Sequence, residues 1–352
     1  MGIATIILAN SVVTEAYANV LRVEPYLLEI ILGIFFLSFV AALLMGMRYS
    51  NFMARLLYIL TSFYFGFFVY IFLAAVVYLI LLIIFGPIYS IVGVLLVFIP
   101  ILFGVWGILN AEKISIKTIP IKLANLPEKW NNKKAVWISD VHIGLVYRAK
   151  YVRKITKMIN ELKPDIVFIG GDLYDGISTK EVLDYADPLR DIVAPDGIYF
   201  VTGNHEKYGN IIEFHKKIES LGIKILNNKL TVIDGMQIIG IEYSKETKGA
   251  GLQSTLSNLN INKNIPSILL KHEPREVGIA EKAGISMQIS GHTHNAQQWP
   301  LNYYAKLIYK EFTYGLKHKG DMIVYTSSGV GTWGPKIRIG SKCEIVEFIF
   351  NS

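Results

Sequence analysis

Five of the seven histidines in this 352-residue chain fall in short polar clusters, and each cluster ends an apolar run. Asp140 and His142 follow 135–139; Asp172 follows 165–171; Asn204 and His205 follow 198–203. His272 follows 267–270, and His292 and His294 follow 286–291. Neutral imidazole and carboxylate together suit Mn, Fe, Zn or Ni, and no thiolate stands among them. These eight residues are more than one ion needs and suit two. Ions ~3.5–4 Å apart can clamp both the attacking and the leaving oxygen of a displacement. A bridging carboxylate must offset their repulsion, and Asp172 sits on a tight Gly170-Gly171 turn that could present one. His215, on a predicted helix face, and His318, in a lysine-rich loop, read as ordinary histidines. Glu206 reads as a supporting or solvent-facing residue rather than a ligand.

The elements that must hold these residues alternate. Strands are predicted at 135–139, 165–169 and 198–201, with helices at 149–162, 179–190 and 209–220 between and after them. Shorter β runs follow at 223–226, 229–233 and 236–242, with Asp234-Gly235 as a hairpin turn. Further strands are expected at 267–270, 286–289, 322–327 and 344–350. Each polar cluster therefore lies at the C-terminal end of a strand, where open α/β sheets bind ligands. The pattern implies an α/β domain with sheets inside and helices outside.

The rest of the chain has a different solvent. Residues 1–110 contain only six charged side chains: Glu15, Arg22, Glu24, Glu29, Arg48 and Arg55. These cancel, so the whole formal charge of +7 lies in the remainder. From Leu56 to Ala111 no side chain is charged. A bilayer crossing takes about 20 helical residues, so this stretch holds two spans, 56–85 and 88–109, broken at Gly86-Pro87. Residues 26–46 make a third. Residues 2–21 read as a fourth span, an interfacial helix, or a signal peptide ending in Ala16-Tyr17-Ala18. Arg48 and Arg55 in one short loop, and a lysine-rich linker at 111–134, place the C-terminal part on the cytoplasmic side. The single cysteine, Cys343, permits no intrachain disulfide. A charge of +7 is too modest to imply a nucleic-acid partner by itself.

Five sequence blocks, in order, resemble the calcineurin-like metallophosphoesterases. They are Ser139-Asp140-Val141-His142, Gly171-Asp172-Leu173-Tyr174-Asp175, Gly203-Asn204-His205-Glu206, His272, and Gly291-His292-Thr293-His294. The resemblance covers about 135–350 and implies a four-layer αββα sandwich, so the fold expected is that sandwich over 135–352, preceded by the three or four transmembrane spans that hydropathy places in 1–110. It also implies that Asp140, His142 and His294 hold a first metal. Asn204, His272 and His292 would hold a second, with Asp172 bridging. His205 would donate to the phosphoryl group or the leaving group, and Asp175 would orient His205. The chain departs from the family's Gly-His-Thr-His-Gly-Gly-Gln pattern at Asn295 and Ala296.

The resulting expectation is a multi-pass cell-membrane enzyme that uses two divalent transition-metal ions, manganese being favoured. It would hydrolyse a phosphoester or pyrophosphate by metal-bound hydroxide, on a phosphorylated small molecule or a lipid. The aromatic and apolar stretch 299–316 reads either as an ordinary packed insertion or as a flap near the site dipping toward the membrane interface. An anchored nucleotide or nucleic-acid phosphodiesterase is the first alternative. A non-enzymatic membrane sensor is the second.

Overall fold

A computed structural model of the chain describes residues 3–46, 49–86 and 91–352, without the side chains of 3–6, 91 and 94. Arg48, Pro87 and the start of the 88–109 span lie outside the described residues. The chain forms two compact units: residues 1–110 with Gly334–Ile339, and Ala111–Trp333 with Gly340–Ser352.

The first unit is helical: α1 (Ile3–Leu21), α2 (Pro25–Gly46), α3 (Phe52–Phe85) and α4 (Ile91–Ala111). Asn51 caps α3 by accepting from the Ala54 N–H at 2.9 Å, and Gly86 ends it at φ 73°. Helices α2 and α3 are long and apolar enough to cross a membrane. At ~1.5 Å per residue, the 34 residues of α3 reach ~50 Å, well beyond a ~30 Å hydrocarbon core. Leu37, Phe52 and Ile83 point outward at 67–84% exposure, the reverse of a soluble helix. Small residues let the backbones approach: Ala16 of α1 and Ala74 and Ala75 of α3 share a core with Tyr17, Tyr78 and Leu96. Tyr17 donates to the Leu96 carbonyl at 2.8 Å, satisfying its hydroxyl in an apolar setting. Segment 334–339 belongs to this unit. Its Arg338 N–H donates to the Gly107 carbonyl at 2.9 Å, and Ile337 and Ile339 pack with Tyr70. Gly66 is required there, because a Cβ would stand 2.3 Å from Ile337 Cδ1.

The second unit contains two six-stranded sheets. The first is built from β1 (Ile114–Lys122), β2 (Lys134–Ile138), β3 (Ile166–Ile169), β4 (Ile198–Phe200), β5 (Lys224–Ile225) and β12 (Cys343–Asn351), ordered β1-β12-β2-β3-β4-β5. The second comprises β6 (Lys229–Ile233), β7 (Met236–Ile241), β8 (Ser267–Lys271), β9 (Met287–Ser290), β10 (Gly315–Lys319) and β11 (Met322–Thr326), ordered β10-β11-β9-β8-β7-β6. Trp137, Phe168 and Tyr199 of the first sheet share one core with Ile238, Leu270, Ile289 and Tyr325 of the second. Helices α8 (Ala250–Asn258) and α9 (Val277–Lys282) pack Leu252, Leu256 and Val277 on the second sheet through Ile239, Leu269 and Val324. Helix α5 (Ala149–Leu162) buries Val152, Ile155 and Ile159 on one stripe, at helical spacing. The remaining helices are α6 (Lys180–Asp184), α7 (Ile211–Ser220) and α10 (Leu301–Tyr309).

Register carries function. Strands β2, β3 and β4 run parallel, pairing Ile138 with Ile169 and Ile169 with Phe200. Residues 139–142, 170–172 and 201–205 therefore leave the sheet at one edge. Strands β8 and β9 are likewise parallel, with Leu270 opposite Ile289, so His272 and His292 emerge side by side.

Three expectations need correction, and one stretch gains detail. Residues 114–122, read as part of a linker, form edge strand β1, parallel to β12. Its burial alternates through 116–122, but Ser115, Lys117 and Lys122 make the run read as polar in sequence. The helix expected over 179–190 is α only at 180–184, and a 3₁₀ turn at 187–191 replaces the rest, since Pro188 lacks the N–H an α-turn needs. The strand expected at 223–226 shrinks to Lys224–Ile225. The stretch 299–316 is regular: α10, a 3₁₀ turn at 310–313, and the start of β10.

Candidate metal centre

All eight residues singled out by type and spacing, with Asp175, meet at the strand ends. Asp140, His142, Asp172, His292 and His294 all have φ between 50° and 68°, a region non-glycine residues seldom occupy. Such left-handed backbone concentrates where a fold holds side chains for use. Gly171 (φ 88°) and Gly203 allow the two loops to touch: a Cβ on Gly171 would lie 2.7 Å from the Gly203 nitrogen, and one on Gly203 2.2 Å from Asp172 Oδ1.

Two groups of donors result. In the first, His142 Nε2 lies 3.1 Å from His294 Nε2, which is 3.4 Å from Asp140 Oδ1. In the second, His272 Nε2 lies 3.1 Å from Asp172 Oδ2, 3.1 Å from Asn204 Oδ1 and 3.2 Å from His292 Nδ1. The tautomers follow from the other ring nitrogens. His272 Nδ1 donates to the Gly170 carbonyl at 2.7 Å, and His142 Nδ1 donates to Asp175 Oδ1 at 3.1 Å. Both Nε2 lone pairs are therefore aimed into the clusters, at other lone pairs. Backbone amides fix the carboxylates: His205 N–H donates to Asp172 Oδ1 at 2.8 Å, and His292 N–H donates to both oxygens of Asp140 at 3.1 Å.

Charge balance in the centre is uneven. Burial disfavours a proton on His272, but Asp172 and Asp140 outweigh it and carry the ring up to about 10. Burial and then the charge on His272 pull neighbouring His292 down to about 4. Two rings 3.2 Å apart accept one proton between them. Burial would raise Asp172, yet the adjoining histidines hold it well below the usual carboxylate range. Burial raises Asp140 above that range. Asp175 Oδ1 also lies 3.1 Å from His205 Nδ1, so one carboxylate oxygen serves both His142 and His205. Burial works against charging His205, but Asp175 and Asp172 prevail and raise it.

A family profile described as calcineurin-like phosphoesterase matches residues 133–296. An Aquifex aeolicus protein named uncharacterized metallophosphoesterase is 30% identical over 256 residues, covering 71% of this chain and 96% of that one. This chain belongs to the calcineurin-like phosphoesterase family. A Helicobacter pylori metallophosphoesterase is 31% identical over 236 residues, covering 65% of this chain. A zebrafish protein named transmembrane protein with metallophosphoesterase domain is 30% identical over 275 residues, covering 73% of this chain. The chain spans 62% of the length of each of these two relatives. The transmembrane relatives and the two long apolar helices together point to membrane association.

The donor set fits the divalent metals of the family. Asp140, His142 and His294 form one potential cage, and Asp172, His272 and His292 another, with ligand atoms within 4.8 Å of one another. Facing imidazole lone pairs need a proton or a cation between them, and the proton drawn onto His272 stands where a cation would.

The structure adds residues that motif reading missed or undervalued. Glu206 is fully buried, and its carboxylate accepts from the N–H groups of Asp172 (3.0 Å), Tyr174 (3.0 Å) and Gly203 (2.8 Å). It ties two ligand loops together, and only its place after Gly203-Asn204-His205 hinted at that. Glu273, beside His272, lies 3.9 Å from His292 Nε2 and takes a 2.7 Å ion pair from Arg275. Tyr243 and Tyr309 set their rings 6.2 and 6.0 Å from that of His292. The exposed Trp333 lies 6.3 Å from His205, and Gln297 clamps its backbone by accepting its N–H (3.0 Å) and donating to its carbonyl (3.2 Å). No spacing rule links residues so distant in sequence. His215 Nε2 pairs with Thr202 Oγ1 at 3.0 Å and His318 sits exposed on β10, both outside the centre.

Proposed function

We propose that this chain is a membrane-anchored phosphoesterase using two divalent transition-metal ions, manganese being favoured, to hydrolyse a phosphoester or pyrophosphate bond. The observation that carries this reading is the convergence of ring lone pairs and carboxylates in two adjacent groups, beside a histidine that shares the Asp175 carboxylate with ligand His142. Asp140, His142 and His294 would hold one ion. Asn204, His272 and His292 would hold the other, with Asp172 between them. Bound there, the ions would supply Lewis acidity toward phosphoryl oxygens and toward water. The scaffold would be a four-layer αββα sandwich at 135–352, preceded by β1 and by a membrane region of three or four spans.

The chain's own residues supply the rest. Asp175 Oδ1, 3.1 Å from His205 Nδ1, is close enough to favour charge on that ring, and Nε2 would donate to the phosphoryl or leaving oxygen. The raised affinity of His205 for its proton keeps more of the donor form near neutral pH. Asp175 couples this ring to His142, so donor and ligand cannot shift independently. Glu206 fixes the backbone under Asp172 and Gly203, so the site is organised before substrate arrives.

The substrate proposed is a phosphorylated lipid or small molecule, met at the cytoplasmic face of the cell membrane. The apolar α2 and α3 support the lipid reading. Full-length protein with added Mn²⁺ should be assayed on a monoester, a diester, a nucleotide and a phospholipid. Turnover confined to lipid-linked or small phosphoesters supports the proposal. Preference for nucleic acid or nucleotide transfers it to the anchored phosphodiesterase, and no turnover on any substrate leaves the sensor reading.

A further inference from the structure

Helix α10 is amphipathic in the wrong direction for water. Asn302, Ala305 and Tyr309, at i, i+3 and i+7, form the stripe turned toward the domain, and Ala305 is 7% exposed. Tyr303, Tyr304 and Leu307 lie opposite, where a soluble helix shows polar groups, at 60%, 66% and 79% exposure. Leu301 and Ile308 flank them, so the outward side is one contiguous apolar patch. Lys306 and Lys310 stand exposed at its border.

We propose that this outward face of α10 docks on an anionic lipid bilayer and brings the metal centre to the headgroups. This rests on the membrane anchoring proposed above and adds where the catalytic unit meets the membrane. Tyrosine and leucine backed by lysine suit the interface, where rings and aliphatic chains sit below the headgroups and ammonium groups among them. The chain itself carries helices that are apolar on their outer faces, so this surface and a bilayer anchor belong to the same polypeptide. A bilayer also explains why the patch carries Lys306 and Lys310, since anionic headgroups attract them.

The patch is joined to the site. Tyr309, on the inner stripe, donates its hydroxyl to Glu273 Oε1 at 3.3 Å and sets its ring 6.0 Å from His292. Thr293, between His292 and His294, donates to the Thr313 carbonyl at 2.7 Å, and the Thr313 hydroxyl in turn donates to the Lys310 carbonyl at 2.7 Å. A membrane-seated α10 therefore holds the ligand loop close to lipid headgroups.

The test uses the full chain in vesicles of phosphatidylcholine with and without phosphatidylglycerol. A nitroxide is attached at Leu307→Cys, or at Tyr304→Cys as a second reporter, and collisions with oxygen and with a water-soluble nickel chelate are compared. Native Cys343 is buried. Ile212→Cys, on α7 and 63% exposed, reports a water-facing site, and Leu37→Cys on α2 reports the anchor. The expected result is preferential collision with oxygen at 307 and 304, strengthened by phosphatidylglycerol, and with nickel at 212. Nickel preference at 307 overturns the proposal. Protection from both quenchers at 307 also overturns it, in favour of a second copy or a protein partner on this face. Failure of the anchoring itself is read separately, as nickel preference at 37. Phosphoesterase turnover enters none of these readings.

Discussion

His205 and His294 are both histidines at strand ends, yet their neighbours give them different work. His294 Nε2 faces His142 Nε2 and Asp140, while His205 sets Nδ1 3.1 Å from the carboxylate of Asp175. His205→Ala should therefore keep its metal content and lose turnover by roughly 10²–10⁴-fold, the usual contribution of a positioned proton donor. His294→Ala should weaken metal binding, so metal analysis and turnover on the same two variants separate the roles. The pH profile offers a second check. The acid form of His205 is needed, so the rate falls as pH rises through its raised pKa. Asp175→Asn removes a carboxylate that favours the proton, so the alkaline limb of kcat/KM should move to lower pH. An unmoved limb would assign that limb to another group. At this scale the sequence was most informative: Asp140, His142, Asp172, Asn204, His205, His272, His292 and His294 could be picked by type and place. Glu273 and Trp333 could not, and Glu206 only as a supporting or solvent-facing residue, because their roles come from hydrogen bonds and ring contacts between segments distant in sequence.

Strands β2, β3 and β8 were legible because they are short, mostly apolar runs, as buried parallel strands are, and β9 because Gly284 and Gly291 bracket it. Strand β1 was not, since an edge strand containing Lys117, Pro120 and Lys122 within a lysine-rich segment resembles a linker. Helix α10 was seen as an aromatic stretch but not as a helix, because its apolar side chains lie on its outer side and obscure the period. The loop after His294 shows strain of its own. Asn295, Ala296 and Gln297 have φ of 48°, 56° and 59°, where the resemblance leads one to expect glycines at the first two. A left-handed alanine costs about 1 kcal/mol. Ala296→Gly should therefore raise the thermal unfolding midpoint of detergent-purified protein, less any loss from the freer unfolded chain. In the opposite direction, Glu206→Ala leaves three buried N–H groups unpaired. It should lower that midpoint by an amount equivalent to at least ~1–3 kcal/mol.

Across the whole molecule, the charge-poor first 110 residues and the charged remainder announced two environments, and the helical unit adds Gly334–Ile339, a charged segment that this contrast does not mark. Lysine enrichment after α4 argues for a cytoplasmic catalytic unit, so a cysteine at the exposed Lys129 should resist an impermeant reagent in intact cells and react after lysis. Labelling in intact cells would reverse the orientation. The metal centre is itself a property of the whole catalytic unit. Asp140, His142 and Asp172 come from the first sheet, while His272, His292 and His294 come from the second, so bound ions would join them. Metal content therefore tests the central claim most directly. Full-length protein purified in detergent and reconstituted with Mn²⁺ should carry about two ions per chain, and Asp172→Ala should lose both, because that carboxylate lies between the groups. One ion per chain in the wild type, none after reconstitution, or an Asp172→Ala variant that keeps both would contradict the dinuclear account.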